Sequence, residues 1–195
     1  YLADCFGLRL LNRRGCFPQF DKFIEQTKDV WTHLVDIRKS FEPRAEELAK
    51  KYALAPYTMF IGSGALWGET ILFSMCILEE MQWKRTRYIT SADFFHGTLE
   101  LVEPGVPVFL FMGEDENRKL DERARAFLTR GVTGDTDINI IDTAEFAIPG
   151  LDDEFRVIVS PWILSSLITD RLAAYYETVT KHNLNYRRYY HQFDY

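Results

Sequence analysis

The sequence predicts an α/β protein, a three-layer sandwich with a parallel sheet that is preceded by linker helices. Short apolar runs of strand length alternate along the chain with stretches whose apolar residues recur at helical spacing. The 195 residues are 47% apolar, 15% aromatic and 27% charged, which is the composition of a packed domain. Alternating strands and helices favour a parallel sheet that is covered on both faces.

The first third of the chain shows helical spacing only. Apolar residues recur at this spacing from Leu2, and again from Phe20 to Ser40. A further helix is predicted to open at Pro43, because proline is favoured in the first turn of a helix. We therefore divide the chain into a helical linker, residues 1–55, and a sheet domain with a C-terminal tail, residues 56–195.

The sheet domain opens with a strand at residues 57–61, a turn at Gly62-Ser63-Gly64 and a helix over residues 65–83. The tail from Asn185 onward combines aromatic and basic residues, so we expect it to pack on the fold. A loop is predicted at residues 131–136. The other predicted elements are strands at residues 87–90, 106–112, 137–142 and 155–160, and helices at residues 117–130 and 163–181.

Composition excludes several classes of partner and site. The 23 basic and 29 acidic residues give a formal net charge of −6, which opposes nucleic-acid binding. Neither a membrane-spanning apolar run nor an export signal is visible, so we expect no membrane contact. The cysteines, Cys5, Cys16 and Cys76, are odd in number and lack metal-binding spacing. They predict a reducing, cytoplasmic compartment without disulfides or a metal site.

Gly62-Ser63-Gly64 lies between a predicted strand and a helix. Free backbone N–H groups and the helix dipole attract anions at such a position, and Ser63 adds a hydroxyl. The segment has neither the dinucleotide-binding nor the phosphate-loop glycine pattern, so a simple tight turn is the alternative. Ser63 and Gly64 are candidate phosphate-binding residues.

Two segments carry candidate acid–base groups. Glu79 and Glu80 interrupt an otherwise apolar helix, and burial of one carboxyl group would raise its pKa into a useful range. The alternative is a solvated pair near a helix end. His96 follows the second strand in a loop, the usual place for site residues on a rigid scaffold. No GxSxG segment is present, which disfavours hydrolysis through a covalent nucleophile.

These segments together resemble a known family. The chain has the Gly62-Ser63-Gly64 turn, then LEEMQW at residues 78–83, SADFFHGTLE at residues 91–100, EPGVPVF at residues 103–109, and the Arg187-Arg188-Tyr189-Tyr190 tail. In this order they resemble the C-terminal sugar isomerase (SIS) domain of the fructosamine 6-phosphate deglycases. That family is related to the isomerase half of glucosamine-6-phosphate synthase. The resemblance covers residues 55–195, and EMQW and FFHG are its most specific segments.

The resemblance implies site residues and an architecture. The family's catalytic glutamate falls on Glu80 and its catalytic histidine on His96. The family has two SIS domains in tandem, and most groups that hold the sugar phosphate belong to the first, whereas this chain matches the second. The tail residues Arg187 and Arg188 are positively charged and suited to neutralise an anionic substrate.

Helix length separates the two candidate catalytic residues. Glu80 lies about sixteen residues, or roughly 24 Å, along the helix that begins at the sheet edge where His96 follows a strand. If both act on one substrate, they must come from different subunits. We therefore expect a homodimer or higher homo-oligomer with shared sites.

The leading hypothesis is a sugar-phosphate deglycase that cleaves 6-phosphofructosyl-amino acids by Glu/His acid–base chemistry and needs no cofactor. An aldose–ketose sugar-phosphate isomerase would use the same two residues. A non-catalytic, sugar-phosphate-binding SIS module would need neither of them.

Overall fold

A four-stranded parallel sheet forms the centre of the computed structural model, which describes residues 1–131, 134 and 136–194. The strand order is β2-β1-β3-β4. The strands are β1 (Tyr57–Gly62), β2 (Arg85–Ile89), β3 (Val108–Met112) and β4 (Ile138–Asp142). Each lies within two residues of a predicted strand, and the α/β class with a parallel sheet is confirmed.

Strand register defines two edges of the sheet. At one end Tyr57 of β1 pairs with Arg85 of β2, and at the other end Gly62 pairs with Phe111 of β3. We call these the amino edge and the carboxyl edge. Strand β3 is buried along its whole length, whereas β2, at the side of the sheet, keeps Arg85 and Arg87 exposed.

Helices surround the sheet, and one of them changes its winding before it reaches the amino edge. Helix α4 continues as a π-helical segment, Leu72–Met81, in which each turn is wider than in an α-helix. The α-helices are α1 (Leu2–Arg13), α2 (Phe20–Thr27), α3 (Val30–Tyr52), α4 (Trp67–Ile71), α5 (Ser91–Phe94), α6 (Arg118–Thr129), α7 (Asp153–Ser165) and α8 (Ala173–Thr180).

The sheet separates two apolar clusters, because successive strand residues point to opposite faces. Phe60 and Phe109 belong to the larger cluster with α3, α7 and α8. Ile61 and Leu110 belong to the smaller cluster with α5 and α6. Helix, sheet and helix thus form the three predicted layers. Residues of α2 and α3 lie in the larger cluster, so these helices share a core with the sheet. The division of the chain at residue 55 into a linker and a sheet domain stays a prediction.

The strand predicted at residues 155–160 is wrong. These residues lie within α7, where Phe155 and Val159 are fully buried. The run FRVIVS has the length and β-branched content of a buried strand, but a helix that is enclosed by other elements can be apolar on most sides too. The helix predicted at residues 163–181 is therefore the second part of a longer one.

The helix boundaries predicted in the first third are also wrong. The pattern from Phe20 to Ser40 is divided between α2 and α3, and Pro43 lies inside α3 rather than at its start. An internal proline removes one backbone hydrogen bond. The burial of Phe41 and Ala45 on either side of Pro43 shows that packing keeps the helix continuous. The predicted loop at residues 131–136 lies largely outside the described residues.

Within the described residues, one helix is long and apolar enough to cross a membrane by length and composition. It runs without interruption from α7 through the π-helical segment Ser166–Leu172 to α8, over 28 residues. Half of its apolar window is buried inside the fold, and Ile163, Leu167 and Tyr176 are fully enclosed. These contacts identify it as a core helix.

Candidate active site

Glu80 lies at the amino edge of the sheet. It is near the end of the π-helical segment Leu72–Met81, and three residues separate that segment from β2. The wide winding persists to the end of the segment, where the Gln82 N–H donates to the Ile77 carbonyl at 3.1 Å. π-Helical segments are rare in proteins, and those that occur are often found at functional sites.

Arg187 of the C-terminal tail reaches Glu80, whereas the tail's aromatic side chains, which were expected to pack on the fold, stay exposed. Arg187 Nε donates to Glu80 Oε1 at 2.9 Å. The same guanidinium donates through Nη1 to the carbonyl oxygens of Leu184 and Tyr186, at 2.7 and 2.8 Å. Arg187 is mostly buried, and Glu80 is about one-third exposed. The carboxylate is therefore held by the tail and remains open to the solvent.

A network of polar contacts fixes where the tail begins. Gln82 Nε2 donates to the His182 carbonyl at 2.6 Å, and the Thr180 hydroxyl donates to Gln82 Oε1 at 2.8 Å. The Leu184 N–H donates to Glu177 Oε1 at 3.1 Å. The chain just before the tail is thus joined to Gln82, which follows the segment that carries Glu80, and to α8.

A cleft of about 380 Å³ opens between this helix end and the tail. It is lined by Glu79, Glu80, Trp83, Lys84, Arg187, Arg188, Tyr189 and Tyr190. The Arg188 guanidinium lies 4.1 Å from the centre of the Trp83 ring. The cleft therefore combines two carboxylates, three cations and an aromatic wall.

The two adjacent glutamates have different partners. Glu79 Oε1 accepts a hydrogen bond from the Thr86 hydroxyl at 2.5 Å, which ties it to β2. Glu80 pairs with the tail instead. Burial and the charges of Glu80 and Glu79 raise the pKa of the neighbouring Cys76 thiol. That cysteine is therefore a poor nucleophile, and Glu80 remains the better candidate for acid–base work.

Sequence reasoning did not identify Lys84 and Trp83 as site residues. Lys84 Nζ donates to the carbonyl oxygens of Ala53 and Ala55 at 2.8 and 2.7 Å, and burial lowers the pKa of its ammonium group. Its main role is to join the end of α3 to the cleft. Trp83 was quoted only as part of the EMQW segment. In the sequence, the signal that Trp83 could belong to the site was its closeness to Glu79 and Glu80. Only the folded tail shows that Arg188 is its partner.

His96 lies at the opposite end of the sheet. It follows α5, which begins directly after the carboxyl end of β2, and its backbone N–H donates to the Asp93 carbonyl at 2.8 Å. The side chain is exposed. Strand β2 alone separates the two ends by roughly 13 Å at 3.3 Å per residue. One chain therefore does not bring Glu80 and His96 together, in agreement with the predicted separation.

The groups predicted to bind phosphate at Ser63 and Gly64 have partners within the fold. The Ser63 hydroxyl is buried and accepts a hydrogen bond from the Ser91 N–H at 2.8 Å. The helix start after Gly64 is already capped by a carboxylate, because the Ala65 N–H donates to Asp115 Oδ2 at 2.5 Å. A phosphate would have to displace this internal anion.

The cleft around this turn is acidic. It measures about 640 Å³ and is lined by Gly64, Ala65, Glu114, Asp115, Glu116, Asn117, Asp153, Glu154 and Val157. Of its five carboxylates, Glu114 pairs with Arg156 and Glu154 with Lys22, and the remaining negative charge disfavours a phosphate dianion. Phosphate binding at Ser63 and Gly64 stays a prediction. No cluster of three or more His, Cys, Asp or Glu residues suited to a metal ion occurs among the described residues.

Ion pairs support the carboxyl edge. Arg118 donates from Nη1 to Asp142 Oδ1 at 2.9 Å and from Nη2 to Oδ2 at 2.6 Å. Burial alone would raise the pKa of Asp142, but the hydrogen bonds from Arg118 and the Ala144 N–H outweigh it and lower the pKa. Burial raises the pKa of Asp121, whose carboxylate accepts from the Ser91 hydroxyl at 2.5 Å. The carboxyl edge is thus a stabilised scaffold.

The four-stranded parallel sheet that helices cover on both faces matches the fold of SIS phosphosugar isomerases. The chain matches the crystal structure of a Bacillus subtilis protein described as a phosphosugar isomerase, with a TM-score of 0.87 and 26% sequence identity. The match covers 95% of this chain and 55% of that one. No family model matches the sequence.

The curated proteins with similar sequences are deglycases. Fructosamine deglycase FrlB of Bacillus subtilis is 29% identical over 188 residues, 94% of this chain and 54% of that protein. Fructoselysine 6-phosphate deglycase of Escherichia coli is 30% identical over 195 residues, 97% of this chain and 54% of that protein. The chain spans about half the length of these relatives. The resemblance to fructosamine 6-phosphate deglycases is confirmed.

Proposed function

We propose that the protein is a sugar-phosphate deglycase that cleaves 6-phosphofructosyl-amino acids, or Amadori products, to glucose 6-phosphate and a free amino acid or amine. One observation carries the proposal. In a chain homologous to deglycases, Glu80 reaches an open cleft while Arg187 of the tail holds its carboxylate at 2.9 Å. A positioned carboxylate with solvent access is suited to general acid–base chemistry.

The reaction follows from proton transfer by Glu80. His96 assists the opening of the sugar ring. Glu80 removes a proton from C1 while O2 takes up a proton from water, which leaves an enol at C2. Glu80 then returns its proton to C2 while the nitrogen gives up a proton to water, which leaves an imine between C1 and the nitrogen. Water then adds at C1, and the C1–N bond breaks to release the amine and the aldehyde of glucose 6-phosphate. One water is consumed, and no cofactor is needed.

The two residues meet only if subunits share a site. Glu80 belongs to the amino edge and the exposed His96 to the carboxyl edge. The His96 imidazole makes no hydrogen bond, ion pair or ring contact within the part of the chain that the structure describes, so it is open to a neighbouring subunit. We propose a homodimer or higher homo-oligomer that takes Glu80 from one subunit and His96 from the other.

The positive charge of the cleft supports an anionic substrate. Arg187 and Arg188 come from the tail and lie opposite the helix end that carries Glu80. The acidic cleft at the carboxyl edge does not suit the phosphate, so its ligands are expected in the first SIS domain that the resemblance implies. Three unpaired cysteines agree with a cytoplasmic enzyme.

Product analysis tests the proposal. The full-length protein is incubated with a 6-phosphofructosyl-amino acid, and free amine and glucose 6-phosphate are measured in equal amounts. Aldose–ketose isomerisation is the second candidate, because the matching crystal structure is described as a phosphosugar isomerase. Interconversion of fructose 6-phosphate and glucose 6-phosphate without amine release would favour it. Tight binding of sugar phosphates with no turnover would indicate a binding module and overturn both.

A further inference from the structure

Trp83 is held in an unusual conformation at the mouth of the cleft. Its φ of +54° lies in the left-handed region, which bulky residues rarely adopt. The His182 ring packs edge-on against it, with 4.3 Å between the ring centres. Backbone and histidine together fix the indole as a wall of the cleft.

Arg188 uses this wall and has no anionic partner within residues 1–131, 134 and 136–194. Its guanidinium lies 4.1 Å from the centre of the Trp83 ring. Among the described residues, no carboxylate lies within ion-pair distance of Arg188, whereas the adjacent Arg187 pairs with Glu80. A guanidinium that lies over an aromatic face keeps N–H donors at its edge for a bidentate anion. Trp83 therefore orients the Arg188 guanidinium, and its N–H groups remain available to bind an anion.

We propose that Arg188, positioned by Trp83, binds the carboxylate of the amine that is released. The inference rests on the proposed function and extends it, because it makes an amino acid, rather than a simple amine, the preferred leaving group. Glu80 acts at C1 and C2, and the nitrogen is attached to C1. The amine's substituents therefore lie on the Glu80 side of the substrate, while the phosphate on C6 lies four carbons away from C2.

The distance between the two anionic groups of the substrate favours a carboxylate over the phosphate as the partner of Arg188. Glu80 lines the same cleft and must reach C1 and C2, whereas the phosphate is carried by C6. A carboxylate also matches the planar fork of the guanidinium in a bidentate pair. The tail thus supplies two arginines with different roles, since Arg187 holds the base and Arg188 receives the leaving group.

Matched substrates separate these roles. The full-length protein is assayed with 6-phosphofructosyl-glycine and its decarboxylated counterpart, 6-phosphofructosyl-methylamine. A second pair, 6-phosphofructosyl-6-aminohexanoic acid and 6-phosphofructosyl-pentylamine, places the carboxylate far from the nitrogen. In the pair that matches the site, we expect kcat/KM to be about 10- to 100-fold higher with the carboxylate, since hydrogen bonds to charged groups contribute about 1.5–3 kcal/mol.

Arg188→Ala should remove this preference by raising KM for the carboxylate substrate and leaving the decarboxylated substrate unchanged. Arg188→Lys should restore only part of it, because the ammonium group lacks the fork. Arg130→Ala is the matched control, because Arg130 also lies over an aromatic ring, that of Phe127 at 5.2 Å, but outside the cleft. An equal loss on both members of a pair would mean that Arg188 binds the phosphate, and an unchanged preference would show that it binds neither. Both results would overturn the inference.

A binding measurement separates failure of the inference from failure of the proposed function. If the wild-type protein releases no amine from any of the four compounds, the deglycase assignment fails. Calorimetric titration with free glycine, 6-aminohexanoic acid, methylamine and pentylamine then tests Arg188 alone. Binding of an amino acid but not of its decarboxylated partner, lost in Arg188→Ala, would support the inference. Equal binding by both proteins, or no binding by the wild type, would overturn it.

Discussion

Arg187 Nε donates to Glu80 Oε1 at 2.9 Å across 107 residues of sequence. This contact joins the C-terminal tail to the end of the π-helical segment. It also encloses a cleft that neither element forms alone. The candidate base and the group that orients it are thus brought together by tertiary structure.

Glu80→Gln in the full-length enzyme should lower kcat by about 10²- to 10⁴-fold, because a positioned general base is lost while the side-chain volume is kept. The unfolding temperature and substrate binding should change little. Glu79→Gln is the matched control, since the Glu79 carboxylate is held by the Thr86 hydroxyl. Steady-state kinetics on both variants provide the measurement. A large loss in Glu79→Gln with normal activity in Glu80→Gln would reverse the assignment.

Arg187→Ala should release the tail and leave the Glu80 carboxylate without its partner. Loss of a hydrogen bond between charged groups costs about 1.5–3 kcal/mol, so kcat/KM should fall by about 10- to 100-fold. Removal of residues 187–195 should have at least the same effect. Kinetics and thermal unfolding check both variants, with Arg130→Ala as the surface control. Wild-type kinetics after truncation would show that the tail has no part in the site.

Two inactive full-length variants should complement each other. A dimer that contains one Glu80→Gln chain and one His96→Ala chain has one site with both wild-type residues and one site with neither. Activity should therefore reappear when the variants are unfolded together and refolded. Mass spectrometry verifies that the mixed dimer has formed. If verified mixed dimers stay as inactive as the parents, the shared-site proposal is wrong.

Gly64→Ala should destabilise the turn at the carboxyl edge. Gly64 has a φ of +55°, and an added Cβ would collide with the Asp115 carboxylate that caps the following helix. Gly68→Ala is the matched control, because its Cβ would meet no atom within 4 Å and it lies in α4. We expect a loss of about 1–3 kcal/mol in Gly64→Ala and a small gain in Gly68→Ala, as urea unfolding would show. Equal stabilities would contradict the strained turn.

Asp142→Asn should reduce stability in a pH-dependent way. Hydrogen bonds from Arg118 and the Ala144 N–H outweigh burial and hold the folded-state pKa of Asp142 below the ordinary value of an aspartate. The stabilisation is therefore fully present above about pH 4 and is lost as the pH falls through the lower folded-state pKa. Wild type and variant should differ at pH 7 and converge in acid, as measured by urea unfolding at each pH. The exposed Asp36→Asn is the control. A constant difference across this range would exclude the linkage.

The main elements were predictable where local periodicity agrees with tertiary environment. Strands β1 and β3 are continuous apolar runs because the helices cover both of their faces. The same reasoning failed for residues 155–160, since a helix that is buried on most sides has a similar apolar run. It failed again at Pro43, because the buried neighbours Phe41 and Ala45 hold the helix together across the missing N–H.

The sequence by itself determined the α/β class, the positions of Glu80 and His96 at opposite sheet edges, and the resemblance to deglycases, because these depend on periodicity and local motifs. Only the tertiary structure decided that Asp115 occupies the helix start after Gly64, that Arg187 pairs with Glu80, and that Trp83 carries Arg188. Each of these contacts joins two segments that are far apart in the chain. Such pairings arise from packing of the whole core, which no local pattern encodes.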